Sequence, residues 1–150
     1  MKTSLLKFTF TFFILTTVCR FAQAEDGWTA DYAKALAQAK SENKRVLLDF
    51  TGSDWCPWCI KLEKDIYSKE KFREYAKNNL VLVTVDFPQS KPLAKNVQEQ
   101  NEKLKNQFGI EGFPTTVLLN SSGKKLGDIV GYVEGGPDAF IAQLEKMTKK

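Results

Sequence analysis

Two thiols three positions apart, in Asp54-Trp55-Cys56-Pro57-Trp58-Cys59, restrict what this chain can fold into more than any other stretch. They follow closely on the apolar run Val46-Leu47-Leu48, which reads as a strand covered on both faces. Pro57 indicates what comes next. Proline suits the first helical position, where its missing N–H would have had no intrahelical partner and its fixed φ is already helical. A helix starting at Pro57 makes Cys56 its cap and puts Cys59 about one turn inside, so that the sulfurs can close a small disulfide ring. Cys56 then faces unpaired N–H groups and the positive end of the helix dipole, which favour thiolate over thiol and make it the expected nucleophile. Cys59, covered by the helix, is expected to resolve a mixed disulfide rather than to start one.

Two plainer readings compete. A purely structural disulfide over so short a loop would restrict the unfolded chain very little. A closed zinc site needs four ligands, and the chain has no histidine and no second cysteine pair.

Residues 1–24 read as a secretory signal to be cleaved, leaving 25–150 as one domain. Lys2 and Lys7 supply the positive end, 8–18 the apolar centre, and Ala22-Gln23-Ala24 the small-residue cleavage site. The apolar centre is too short and too rich in threonine to span a bilayer comfortably. Cys19 follows Val18, where lipid attachment signals carry a small residue, so Cys19 is expected to leave with the signal. Lys2, Lys7 and Arg20 account for most of the net charge of +4, which removes the case for nucleic acid or an anionic membrane as partner. Cys56 and Cys59 are then the only cysteines of an exported, expectedly periplasmic, domain.

Taken in order, the pattern predicts a helix over 29–43, with Tyr32, Leu36 and Ala39 on one face, and a strand over 45–50. Asp49 is out of place in such a strand unless it has a task; buried, its pKa would rise towards the range useful for taking a proton from the resolving thiol. After the cysteine helix come a short helix over 70–77, a strand over 80–86, and a loop broken by Pro88 and Pro92. A polar helix over 93–108, a strand over 115–119, a hairpin turn at Asn120-Ser121-Ser122-Gly123 and a strand over 125–131 follow. A last helix opens at Pro137. Strands separated by helices imply parallel crossovers, and the closing hairpin adds an antiparallel edge, so the fold class is an α/β three-layer sandwich with a mixed four-stranded sheet.

Three segments in order, Val46-Leu47-Leu48-Asp49-Phe50, Trp55-Cys56-Pro57-Trp58-Cys59 and Gly109-Ile110-Glu111-Gly112-Phe113-Pro114-Thr115-Thr116, resemble the thioredoxin fold. Within it the chain is similar to the exported bacterial thioredoxin-like disulfide reductases, from about Trp28 to Leu144. The resemblance implies that Pro114 is cis and lies against the active disulfide, with substrate backbone pairing beside Phe113. The chain departs from the family pattern in three places. Thr51-Gly52-Ser53-Asp54 is one residue longer, the lysine of the next strand has no match because Leu82 falls about there, and the dipeptide between the cysteines is Pro-Trp.

The expected activity is that of an exported thiol-disulfide oxidoreductase reducing protein disulfides. Cys56 attacks, Cys59 resolves, Asp49 accepts the proton, and Trp55, Trp58 and Phe113 form an apolar rim for substrate. Neither a bound cofactor nor a metal is called for, and electrons are expected from a thiol redox partner that is membrane-bound or exported. A monomer is expected. A disulfide isomerase or oxidase on the same scaffold is the alternative, and a Cu(I) carrier using both thiolates is a further one. An isomerase would bring a dimerisation domain, for which the segment before Val46 is too short, and a copper carrier a methionine cluster, whereas Met147 is the only methionine after residue 24. Without histidine, and with Asp54 and Asp49 as neighbours, Cys56 lacks the positive charge that marks a strong oxidant.

Overall fold

The computed structural model describes residues 27–149, so the cleavage-site reading at residues 1–24 lies outside the described residues. Two apolar runs form the middle of the sheet. β2 (Arg45–Thr51) is buried along nearly its whole length and pairs in parallel with β3 (Leu80–Asp86), from Arg45 opposite Leu80 to Thr51 opposite Asp86. Both are covered on two sides, which is why neither alternates polar with apolar. β1 (Trp28–Thr29) pairs in parallel with β3; on the other side β4 (Thr115–Leu119) runs antiparallel to β2, and β5 (Lys125–Val130) antiparallel to β4. The order is β1-β3-β2-β4-β5, five strands rather than the expected four.

The additional strand takes Thr29 out of the predicted first helix. Asp31 caps α1 (Tyr32–Glu42) by accepting the N–H of Lys34 at 2.9 Å, so the helix cannot begin earlier, and two paired residues are too few to show a strand period. The second correction concerns direction. β3 leaves the sheet where Asp86 faces Thr51, and β4 enters at that same end, with Thr115 opposite Phe50. Loop 87–94 and α4 (Lys95–Phe108) therefore return the chain to the end it left, and the expected parallel crossover is replaced by an antiparallel entry.

Alternation along β2 assigns the two faces. Val46, Leu48 and Phe50 pack with Ala35 and Ala39 of α1 and Leu104 of α4. Leu47 packs on the opposite side, with Leu62 of α2 (Pro57–Leu62), Phe72 of α3 (Glu70–Asn79), and Phe140 and Leu144 of α5 (Gly136–Met147). Asp49 shares the Leu47 face and so looks into the layer that carries the cysteines. At the far end of that layer Arg45 reaches the Tyr75 hydroxyl and Glu145, each at 3.0 Å, tying β2 to α3 and α5.

Candidate active site

Cys56 has extended backbone, φ −90° and ψ 107°, and caps α2 with Pro57 as the first helical residue. Its Sγ accepts the N–H of Cys59 at 3.2 Å and is bonded to the sulfur of Cys59, the two Cα atoms lying 5.3 Å apart. Each cysteine is 4% exposed. Cys59 is covered as expected, but Cys56 is covered equally, so exposure does not distinguish them; what distinguishes them is the cap, where Cys56 sulfur accepts the Cys59 N–H, a donor shared with the Cys56 carbonyl at 3.1 Å.

The longer approach loop is fastened to the segment after β3. Ser53 gives its N–H and its hydroxyl to Asp86 at 2.9 and 2.6 Å, and Phe87 gives its N–H to the Thr51 carbonyl at 2.8 Å. The Asp54 carboxylate accepts the N–H groups of Gln89 and Ser90 at 3.0 and 2.7 Å and also the Ser90 hydroxyl. Those bonds, the hydroxyl first, hold its pKa down at about 2. The charge that the sequence set against Cys56 is thus taken up by the loop opposite. Trp55 completes the fastening: its Nε1–H donates to the Phe87 carbonyl at 2.8 Å, and its ring lies so close over Gly52 that a Cβ there would come within 2.5 Å.

The apolar rim has two parts. Trp55, 40% exposed, stands edge-on to Phe113 with ring centroids 5.9 Å apart, and Phe113 lies on Phe87 at 5.2 Å. Trp58, 58% exposed, sits apart from this group and contacts Tyr132 at 5.9 Å. Tyr132 is fixed in turn by Asp65, which accepts its hydroxyl at 3.2 Å, and by Lys61, whose Nζ lies 4.6 Å from the ring centroid. The Phe113–Pro114 bond is cis, Pro114 is buried, and its carbonyl accepts the N–H of Gly131 at 2.8 Å.

Asp49 is 7% exposed, and its pKa is pushed up to about 8, mainly because burial strips water from the carboxylate and secondarily because Glu63 and Asp86 add negative charge. The Tyr67 hydroxyl opposes that rise by donating to Oδ1 at 3.4 Å. Cys59, Glu63 and Tyr67 recur four residues apart as α2 continues into a π-turn (Glu63–Tyr67), and two of them, Glu63 and Tyr67, act on Asp49. On β3 the residue opposite Asp49 is Thr84, while Leu82 faces Leu47, and neither is a cation.

Asp86, Phe87, Tyr132, Tyr67 and Thr116 join the site without having been singled out in the sequence. Asp86 did carry a signal, a carboxylate closing an apolar strand run, though a weaker one than Asp49 inside its run. For the others the neighbours are distant in sequence, and nothing local reports them.

The Thioredoxin-like domain family matches residues 32–148 of the chain. Disulfide bond reductase DsbH of Chlamydia pneumoniae is 37% identical over 118 residues, covering 79% of this chain and 70% of the relative. Thioredoxin-related protein DsbJ of the same organism is 29% identical over 120 residues, 71% of this chain but 34% of the relative, so the chain spans about a third of that protein. The solved structure of a DsbH oxidoreductase superposes with a TM-score of 0.76 at 36% identity, covering 81% of this chain and 83% of the other.

Proposed function

The chain belongs to the thioredoxin-like family and is a thiol-disulfide oxidoreductase; from that premise we propose that it is an exported, monomeric reductase of protein disulfides in which Cys56 attacks and Cys59 resolves. The observation that carries the proposal is the cap: Cys56 sulfur accepts a helix N-terminal N–H, an arrangement that stabilises a thiolate there. In the reduced protein, Cys56 thiolate attacks one sulfur of a substrate disulfide, forming a mixed disulfide and releasing the other substrate sulfur as a thiolate. Asp49 takes the proton of Cys59; Cys59 thiolate attacks Cys56 sulfur, the bond from Cys56 to substrate breaks, and the second substrate thiolate leaves. Two electrons pass to the substrate and the Cys56–Cys59 disulfide remains. A thiol redox partner, membrane-bound or exported, then reduces it. Trp55 with Phe113, and Trp58 with Tyr132, flank the sulfurs as apolar supports for an extended substrate segment beside Pro114. Residues 1–24 serve as the export signal.

The reductive direction is supported by charge. No histidine stands anywhere in the chain and no cation stands between the two cysteines, and a dipole at one helix end is a modest contribution, so the thiolate is stabilised too little to make the disulfide a strong oxidant. DsbH, named a disulfide bond reductase, is consistent with that direction. Equilibration with glutathione is expected to give a potential more negative than about −180 mV, between the disulfide isomerase and thioredoxin ends of the scale. A value near about −120 mV, the strong-oxidant end, would overturn the reductive assignment.

A further inference from the structure

Asp49 has an unusual partner. Tyr67 comes from the π-turn, is 2% exposed, and is fixed by ring contacts with Trp28, Phe72 and Phe140 at centroid distances of 5.1, 5.0 and 5.5 Å. Its hydroxyl sits between two polar atoms of neighbouring strands, Asp49 Oδ1 at 3.4 Å and Thr116 Oγ1 at 2.8 Å. Thr116 is 1% exposed and is the residue directly opposite Asp49 in the β2–β4 pairing. A tyrosine hydroxyl has one hydrogen to give and can accept another, and so does a threonine hydroxyl. The pair can therefore be traversed in either direction.

We propose that Tyr67 and Thr116 form a reversible hydroxyl relay that supplies Asp49 with a hydrogen-bond partner in both of its protonation states. When Asp49 is charged, Thr116 donates to Tyr67 and Tyr67 donates to the carboxylate. When Asp49 has taken the Cys59 proton, the carboxylic acid donates to Tyr67 and Tyr67 donates to Thr116. No proton leaves the pair; each hydroxyl only turns. Tyr67 is thus a positioning residue acting through Asp49, and the inference rests on the proposed role of Asp49 as the base. The need for such a device follows from the surroundings. The charges that act on Asp49 are Glu63 from the helix and Asp86 from β3, both negative, and a further titratable neighbour is Tyr67. A buried carboxylate without a cation gains most from a hydroxyl that can switch between donating and accepting.

The relay makes a prediction of opposite signs. Tyr67→Phe keeps the ring and removes the donor to the charged form, so the Asp49 midpoint should rise by roughly one pH unit. Thr116→Val removes a bond in both states, but with Asp49 charged Tyr67 still donates to the carboxylate, whereas with Asp49 protonated and donating the Tyr67 hydrogen loses its acceptor; the protonated state loses more, so the midpoint should fall. The midpoint can be read in the oxidised protein from the carboxyl carbon of labelled aspartate by NMR. Shifts in the same direction, or none in Tyr67→Phe, overturn the relay. A purely structural role for either residue would give no ordered pair of signs. Single-turnover reduction of a peptide disulfide by the pre-reduced protein supplies the second arm. Asp49→Asn should flatten the pH–rate profile, and Tyr67→Phe should lower the rate at pH 7 about tenfold with recovery in alkali. If Asp49→Asn leaves the profile unchanged, the base assignment fails while the midpoint signs still judge the relay; if the profile flattens but the signs are wrong, the relay alone is lost.

Discussion

Replacing Asp49 by Asn should leave the oxidised protein nearly unchanged below about pH 4 and make it progressively more stable than wild type as pH rises to about 8. Asparagine has the size of the protonated aspartate and can meet the Tyr67 hydroxyl in its place, so the comparison isolates the charge. The folded pKa of Asp49 is about 8 against an ordinary value of 3.8, raised first by desolvation and then by Glu63 and Asp86. A carboxyl whose pKa is raised on folding binds more protons folded than unfolded between those two values. Stability is therefore fully retained below about pH 4, falls as pH rises through the window, and levels off above about pH 8. About four pH units at about 1.4 kcal/mol each set a ceiling of about 6 kcal/mol, a large fraction of what a domain of this size has in total. Urea unfolding of wild type and Asp49→Asn at pH 5 and pH 9 reads the effect directly, and using the disulfide form keeps the thiols from titrating. The difference between the two proteins should widen by several kcal/mol from the lower to the higher pH. If it changes by less than about 1 kcal/mol, Asp49 is not a desolvated, raised carboxyl, and its candidacy as a base loses its physical ground.

Cys56→Ser should abolish the reduction of insulin by dithiothreitol, whereas Cys59→Ser should accumulate mixed disulfides; faster alkylation of Cys59 than of Cys56 at neutral pH would reverse the assigned roles. Gly52→Ala should drive the Trp55 ring off its perch, because a Cβ would lie 2.5 Å from Cε2, and the lost Nε1 bond to Phe87 should cost about 1 kcal/mol together with a change in tryptophan fluorescence. An unchanged spectrum with full stability would contradict that packing. The exported protein should begin at Glu25, and an intact mass that retains Cys19 or carries lipid on it would refute the reading of residues 1–24.

Local chemistry alone determined the start of α2. Pro57 can open a helix and cannot continue one, so Cys56 had to be the cap and Cys59 had to lie one turn on, whatever else the chain did. The unbroken apolar runs of β2 and β3 likewise required strands covered on both faces, and a carboxylate inside one of them, Asp49, could be marked as perturbed before any neighbour was known. Tertiary structure decided the rest, because it depends on which distant segments meet. β1 has only two residues and exists because β3 offers a free edge; the direction of β4 depends on where α4 delivers the chain, which no residue of β4 encodes. The charge of Asp54 was legible, but not that Gln89 and Ser90 would bind it, and the tyrosine at 67 was legible, but not that a π-turn would set its hydroxyl between Asp49 and Thr116. A residue's type and its immediate neighbours fix which bonds it can make, whereas the partner that accepts them comes from a part of the chain that only packing brings near.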